Sequence, residues 1–365
     1  MTRYLLAGGG TAGHVNPLLA VADRIRQREP DATVLVLGTL EGLEARLVPE
    51  RGYELLTINK VVFPRRPNAA AVRFPREFLR AVGAIRALIR EHDVDVVVGF
   101  GGYVSAPAYV AARREKKPIA VHEANARPGI ANRLGALFTK RVGVTFRGTR
   151  LLHAVFVGMP LRREIETLDR AAARASALAH FGLDPKKPVL LVTGGSQGAM
   201  SINQTVWDSA ASILGAGWQL LHITGRRWDR LEPELAGYSL MQYCDRMDLA
   251  IAAADLAIAR GGSATVSEFS ALGVAAVYIP LPIGNGEQAL NAKEQVDAGG
   301  ALLIDNAGFT PDWVASTLVD LLSDRALIAD MAVRAKSVGV LDGADRMVDL
   351  VGAALADSAP ARPVN

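Results

Sequence analysis

A chain of 365 residues, 50% of them apolar, is long enough for two domains that each bury a core, so a globular protein is expected. No charged n-region leads into an apolar h-region, and no apolar run approaches the roughly 18 to 20 residues of a membrane-spanning helix, so neither a secreted nor an integral membrane protein is expected. The single cysteine, Cys244, excludes an internal disulfide and a cysteine metal cluster, which fits a reducing cytosol and reads as a small buried apolar residue.

The net charge of +4 hides an asymmetry. Residues 1–160 carry 24 Lys and Arg against 13 Asp and Glu, a balance of +11, which leaves 17 against 24, a balance of −7, for the other 205.

Short β-branched and apolar runs alternate with helical stretches, the signature of βα units on a parallel sheet. In chain order the predicted strands are YLLAG, TVLVLG, ELLTIN, DVVVGF, PIAVHE and RVGVTF, and then PVLLVTG, WQLLHITG, a weaker YSLMQY, DLAIAR, AAVYIP and ALLID. The fold class is α/β, with two doubly wound parallel-sheet domains. The expected division is 1–161, 162–339 and a last helical segment, 340–365, packed across the domain junction. Between the two series lies VGMPLRREIETLDRAAARASALAHFGLDPKKP, charged, helix-prone and without a good strand.

In such sheets ligands bind beyond the carboxyl ends of the strands, where glycine-rich turns lead into helices. GGGTAGHVNP follows the first strand; its glycines permit positive φ, and Asn16 and Pro17 have the identities that start a helix. Free N–H groups at such a start favour an anion, commonly phosphate, and His14 lies in that field. The spacing matches neither GxGxxG nor GxxxxGK[ST], so dinucleotide and Walker-type binding are poorly supported. A turn without a ligand is the plain alternative. The second loop, TGGSQGA, repeats the chemistry, with Ser196 adding a hydroxyl. In RGGSATVSE, Glu268 falls near the first turn of a helix, where it either complements the dipole or accepts two hydrogen bonds from a ribose diol. Gln288 and Asn291, three apart on one helical face, can work together on hydroxyl groups.

GGGTAGHVNP, GFGGYVSAP, HEANARPGIANR, VGMPLR, TGGSQGA and RGGSATVSE, in this order and at these separations, resemble the MurG family of N-acetylglucosaminyltransferases of peptidoglycan synthesis, over about residues 3 to 300. The resemblance implies a GT-B fold, two Rossmann-like domains facing a central cleft. It implies inverting transfer of GlcNAc from UDP-GlcNAc to the C4 hydroxyl of MurNAc in undecaprenyl-diphosphoryl-MurNAc-pentapeptide, lipid I to lipid II. Carried over residue by residue, it puts Ser196 and Arg162 at the diphosphate, backbone near Cys244 at the uracil, Glu268 at the ribose, and Ser263, Ala264 and Thr265 at a helix start beneath the phosphates. Gln288 and Asn291 would bind sugar hydroxyls, while Thr11, Ala12, Gly13 and Asn125 would close over the sugar and the acceptor. Three positions depart from the family pattern: Ala12 stands where glycine is usual, Ala124 where glutamine is usual, and RGGSA replaces the more frequent RSGA.

This chemistry requires stabilisation of the leaving diphosphate and removal of a hydroxyl proton. No DxD pair stands at the carboxyl end of a strand, where it could face the diphosphate, so no metal or cofactor is expected, and helix-start N–H groups with Arg162 would hold the charge. His14 is the expected base, since imidazole titrates near neutrality, with holding the acceptor's diphosphate or simply packing at the turn as the alternatives; His122 and Glu123 are the next candidates, Glu123 being better suited to a structural or orienting role. The segment Lys60 to Arg90 holds eight basic residues against one acid, with Val61, Val62, Phe63, Phe74 and Phe78 interleaved. It suits peripheral attachment to the anionic inner leaflet, at the cytoplasmic face of the cell membrane, at about 1 kcal/mol per basic residue; a solvated basic helix is the plain alternative. Nucleic acid is not expected, as no base-reading module accompanies the charge. The remaining alternatives are another lipid-directed GT-B transferase acting on diacylglycerol, a UDP-GlcNAc 2-epimerase, a non-catalytic nucleotide-sugar-binding subunit, and a dehydrogenase with Glu41 on a ribose.

Overall fold

A computed structural model describes residues 1–61, 63–64, 69–195, 197–230, 234–282 and 285–358. Two units result: Met1–Arg162 with Leu341–Asn365, and Arg163–Val340. The first carries seven parallel strands, β1 (Arg3–Ala7), β2 (Thr33–Gly38), β3 (Glu54–Thr57), β4 (Val96–Gly99), β5 (Ile119–Glu123), β6 (Val142–Val144) and β7 (Ala154–Phe156), in the order β3-β2-β1-β4-β5-β6-β7. The second carries β8 (Val189–Thr193), β9 (Gln219–Ile223), β10 (Tyr238–Met241), β11 (Leu256–Ala259), β12 (Ala275–Tyr278) and β13 (Ala301–Leu303), in the order β10-β9-β8-β11-β12-β13. The doubly wound α/β class read from the sequence is the class observed.

The strands are apolar at consecutive positions because each sheet is covered on both faces. In the first unit Leu5, Ala7, Leu35 and Leu37 pack with Ile85 and Ile89 of the helix Ala69–Glu91. On the other face Tyr4, Leu6, Val34 and Val36 pack with Leu18 and Ile25 of the helix Ala12–Arg28. The sequence reading has no counterpart of β7, whose Val155 is 49% exposed: its three apolar residues at the sheet edge are too short a run to stand out as a strand.

The last helix, Gly343–Ser358, belongs to the first unit. Met347, Val351 and Ala354 are buried in the same cluster as Leu18 and Ile25. Asp345 pairs with Arg24 and Arg28, Asp349 lies 2.5 Å from Arg28, and Asp357 lies 2.8 Å from Arg141. Exposed pairs of this kind contribute at most about 1 kcal/mol each, so apolar burial does most of the docking.

Two histidines are wholly buried in the sheets. His122 on β5 puts Nε2 3.2 Å from the Gly158 carbonyl oxygen. His222 on β9 has Nδ1 2.7 Å from the Tyr238 hydroxyl and Nε2 3.2 Å from Asn203 Oδ1. Burial pushes His122 down to about 4 and His222 down to about 3, from the ordinary 6.5. Because both folded values lie below the unfolded one, this contribution to stability is complete above pH 6.5 and is lost as pH falls towards 4 and 3. Urea unfolding at about pH 5 should therefore show each unit roughly 2 kcal/mol less stable than at about pH 7.5 on this account alone. His122→Gln and His222→Gln should flatten the dependence of their own units; an equally steep dependence in those variants would count against it.

Candidate active site

β1 lies between β2 and β4, so the strand order reverses at the carboxyl ends of β1 and β4, the place where an α/β sheet leaves room for a ligand. The turns after these strands meet there. Gly102, at φ +82, would bring a Cβ to 2.5 Å from the Gly9 carbonyl oxygen, so backbone rests on backbone. Ser105 ties the same two turns, donating to the carbonyl oxygens of Ala7 at 2.9 Å and Gly101 at 2.7 Å.

The helix after β1 starts at Ala12, with an extended Thr11 (φ −130, ψ 158) before it and the N–H groups of His14 and Val15 both 3.1 Å from the Thr11 carbonyl oxygen. The expected start at Asn16 and Pro17 is corrected: Pro17 lies inside the helix. Burial of Val15, Leu18, Leu19 and Ile25 against the sheet outweighs the local capping identity of Asn16.

His14 is thereby the third helical residue and is half-buried, with Nδ1 3.3 Å from both the Gly9 carbonyl oxygen and Thr11 Oγ1. The other edge of the ring faces Gly101, where a Cβ would lie 3.1 Å from Cδ2 and Nε2. Desolvation lowers its pKa from 6.5, and the charges of Glu123 and Glu44 and the bond to Gly9 oppose that shift. A neutral imidazole at neutral pH results. Thr11 is exposed and Ala12 and Gly13 are half-buried, so all three line the open side of the turn.

Glu123 at the end of β5 is buried, and its carboxylate accepts from Asn125 N at 2.9 Å, Gly129 N at 3.0 Å and Asn132 Nδ2 at 2.9 Å. Three donors make it the anchor of the 124–129 loop and of the half-buried Asn125, a geometry that suits the orienting role rather than proton transfer. His122, 0% exposed, is removed as a candidate base, because no acceptor hydroxyl can reach it.

Sequence reasoning missed Glu44. This residue opens the helix Glu44–Glu50, is 1% exposed, and accepts from Gly10 N at 2.7 Å and from Thr39 N and Oγ1 at 3.0 and 2.9 Å. The first glycine turn therefore does not offer all its N–H groups to a phosphate, as the sequence suggested: Gly10 N–H is taken, and by a negative charge. Tyr103 stands over the same turn, 3.8 Å from where a Gly10 Cβ would be, with Lys60 Nζ 4.5 Å from its ring centroid. Lys60 also lines a cavity of about 520 Å³ with Glu41, Glu77 and Arg80.

In the second unit β8 lies between β9 and β11, and the turns after β8 and β9 interlock. A Cβ on Gly198 (φ +76) would lie 2.1 Å from the Thr224 carbonyl oxygen, and one on Gly225 (φ +81) would lie 2.3 Å from Gly198 Cα. Asn203 Nδ2 holds the Thr224 carbonyl oxygen at 2.8 Å from below. Among the described residues no carboxylate is bonded to this turn, which leads into the helix Met200–Asp208. Ser196 lies outside the described residues. Ser263, Ala264 and Thr265 are the first three residues of the helix Ser263–Leu272, as expected, with Ser263 buried and the other two half-buried. Glu268 is its sixth residue, so the first-turn placement is corrected and the dipole-complementing role falls away. It is half-buried. Gln288 and Asn291 share a face of the helix Glu287–Asp297, and Gly261 lies against the Gln288 backbone carbonyl and the Asn291 amide. Gln288 Oε1 accepts from Leu281 N at 2.9 Å, while the buried Asn291 donates from Nδ2 to the Gly261 carbonyl oxygen at 3.1 Å and holds that turn. Cys244 is buried in the loop after β10, and burial raises its thiol pKa. Arg162, half-buried, ends the first segment of the first unit. Among the described residues no group of three His, Cys, Asp or Glu could hold a metal ion together.

Two doubly wound parallel sheets, each with a glycine turn where its central strand runs into a helix, are the fold of the GT-B class of glycosyltransferases. Residues 4–144 match the glycosyltransferase family 28 N-terminal domain and residues 189–347 its C-terminal domain, and the chain belongs to that family. It is 64% identical to the UDP-N-acetylglucosamine–N-acetylmuramyl-(pentapeptide) pyrophosphoryl-undecaprenol N-acetylglucosamine transferase of Leifsonia xyli subsp. xyli, over 96% of this chain and 98% of that protein. The protein of the same name from Streptomyces coelicolor is 47% identical over 97% of this chain and 98% of its own length. Among solved structures, Acinetobacter baumannii MurG superposes with a TM-score of 0.79 at 29% identity, covering 97% of this chain and 100% of that one. UDP-GlcNAc 2-epimerase from Neisseria meningitidis, bound to UDP-GlcNAc, reaches 0.68 at 13% identity, covering 97% of this chain and 100% of that one, a likeness of fold alone.

Proposed function

We propose that this chain moves GlcNAc from UDP-GlcNAc to the C4 hydroxyl of the MurNAc of undecaprenyl-diphosphoryl-MurNAc-pentapeptide, giving lipid II from lipid I. Full-length likeness to transferases of that name supports the reaction. The observation that carries the mechanism is the inequality of the two glycine turns. The first holds a buried carboxylate and a neutral imidazole, a pairing suited to taking a proton and hostile to a phosphate. The second leads into a helix with no bonded carboxylate among the described residues, a setting that favours the leaving diphosphate.

In this reading UDP-GlcNAc binds the second unit. The loop holding Ser196 and the helix start at Ser263, Ala264 and Thr265 face the diphosphate with Arg162, Glu268 takes the ribose hydroxyls, backbone near Cys244 meets the uracil, and Gln288 meets the sugar. Asn291 acts through the turn it holds. Each well-aimed donor is worth roughly 3 to 4 kcal/mol in the transition state. His14 Nε2 takes the C4 proton while that oxygen attacks the anomeric carbon from the face opposite the diphosphate, so the C–O bond to UDP breaks with inversion. Thr11, Ala12, Gly13 and Asn125 close over the sugar and the acceptor. The imidazolium that forms is opposed to the charges of Glu123 and Glu44.

The acceptor's lipid calls for attachment at the membrane, and no described helix is long and apolar enough to cross one. We assign peripheral contact with the anionic inner leaflet to the exposed face of the helix Ala69–Glu91. That face carries Val72 (82% exposed) and Leu79 (53%), with Arg73, Arg76 and Arg80. Phe63, Phe74 and Phe78 cluster with one another at 4.8 to 6.3 Å, the last two packing on the core, and Val62 lies outside the described residues. Arg86 and Arg90 bind Glu115, whose carboxyl they hold at about 2.

The test of the reaction is UDP release from UDP-GlcNAc with lipid I, with diacylglycerol and with no acceptor. Release only with lipid I is expected; release only with diacylglycerol would overturn the assignment. His14→Ala should lower kcat about 100-fold or more with little change in the KM for UDP-GlcNAc, whereas Glu268→Ala should raise that KM and spare acceptor binding. A wild-type rate in the first variant would end the base role, and unchanged donor affinity in the second would end the ribose role. Charge reversal at Arg73, Arg76 and Arg80 should weaken binding to anionic vesicles while leaving turnover of a soluble acceptor analogue intact; vesicle binding as strong as before would assign the contact elsewhere.

A further inference from the structure

Glu44 is a buried carboxylate in a fitted cradle. A Cβ on Gly9 would lie 2.3 Å from its Oε1, one on Gly38 2.5 Å from its Cγ, and one on Gly42 2.0 Å from its Oε2. A buried charge is costly unless hydrogen-bonded, and an apolar side chain of similar size would fill the same space without that cost. What distinguishes Glu44 is what it grips. Oε2 accepts the Gly10 N–H at 2.7 Å, the length of a charge-assisted bond. That N–H shares its peptide unit with the Gly9 carbonyl, and in a trans peptide the two point in opposite directions. The Gly9 oxygen lies 3.3 Å from His14 Nδ1. One peptide plane therefore separates the carboxylate from the imidazole.

We infer that Glu44 is a positioning residue for transfer: through the Gly9–Gly10 peptide it fixes His14 as the Nδ1–H tautomer, leaving the Nε2 lone pair to take the acceptor's proton. A carbonyl oxygen only accepts, so the bond to Gly9 requires the proton on Nδ1. A carboxylate on the N–H side polarises the peptide and makes that oxygen the better acceptor. Thr39 N and Oγ1 fix the other carboxylate oxygen, so the peptide plane cannot rotate without breaking charged bonds. The titratable groups acting on the imidazole are Glu44 from its own helix, Glu123 from β5 and the neutral His122 beside it. Glu123 supplies charge but no contact to the Gly9–Gly10 peptide, as its oxygens are engaged by residues 125, 129 and 132.

The inference rests on His14 being the base, and the measurements separate the two. In ¹⁵N-histidine spectra of the full wild-type chain, neutral His14 should carry its proton on Nδ1; a proton on Nε2 would overturn the inference with no variant needed. Glu44→Gln places an amide NH₂ against either Gly10 N–H or Thr39 N–H. It should mix the two His14 tautomers, lower kcat about 10- to 100-fold, shift the acid limb of the kcat profile to lower pH and leave the KM for UDP-GlcNAc unchanged. In a His14→Ala background the same change should cost nothing further. A folded Glu44→Gln with one intact tautomer, or a loss of kcat that multiplies with that of His14→Ala, would show that Glu44 acts elsewhere. Should His14→Ala alone turn over at the wild-type rate, the base assignment falls, and the tautomer of the Glu44→Gln protein still decides whether the carboxylate orients the ring.

Discussion

The site of the first unit depends on the approach of Gly102 to Gly9, close enough that a Cβ would meet the Gly9 carbonyl oxygen at 2.5 Å. With no side chain between them, the turns after β1 and β4 behave as one body. Gly9 can then face His14 Nδ1 while Gly101, at φ +89, leaves room for the opposite edge of the ring. A methyl group at 102 would separate the turns by an ångström or so and would also strain a backbone at φ +82. The second unit repeats the device between Gly198 and Gly225. In both, interlocked turns need glycine for shape first, and any ligand-binding capacity follows from the N–H groups that shape leaves available.

The units differ in how they satisfy those groups. Beneath the first turn sits Glu44, and beside it Glu123, each buried and each saturated by donors. Beneath the second sits an uncharged network, Tyr238, His222 and Asn203, that ends on the Thr224 carbonyl oxygen. Burial pushes His222 down to about 3, so that network is uncharged near neutral pH. The carboxylates beside the first turn thus bias it against anions, while among the described residues the second turn has no carboxylate bonded to it. Two motifs that look alike in sequence acquire opposite chemistry from residues outside them.

Legibility follows the range of the interaction that fixes each feature. β8, VLLVT, is buried at all five positions and could be read directly, as could the other central strands. β7 could not, because three residues at the sheet edge are too short a run to stand apart from the apolar stretch around them. The start of the first helix was misjudged from Asn16 and Pro17, since Thr11 and the buried face of the helix decide it. Glu268 was placed one turn too early for the same reason. Glu44 gave no signal at all: in LEGLEARLVPE it reads as an exposed helical glutamate, and the cradle that buries it is closed by Gly9 and Gly10, the latter 34 residues away. His14 was legible because its partner, Gly9, is five residues off in the same motif.

Charge shows the same division between composition and placement. The surplus of the first 160 residues is evident by counting, but its distribution is not. Asp345, Asp349 and Asp357, near the far end of the chain, return to Arg24, Arg28 and Arg141, and Glu115 takes Arg86 and Arg90. Arg73, Arg76 and Arg80 stay exposed on one helix, with Arg76 and Arg80 one turn apart. Charges a turn apart, about 5 Å, lie within the Debye length of about 8 Å at physiological salt and add their potentials. The face that exposes Val72 and Leu79 therefore carries a local positive field, while Arg113, Arg114 and Lys116 stay exposed elsewhere on the first unit.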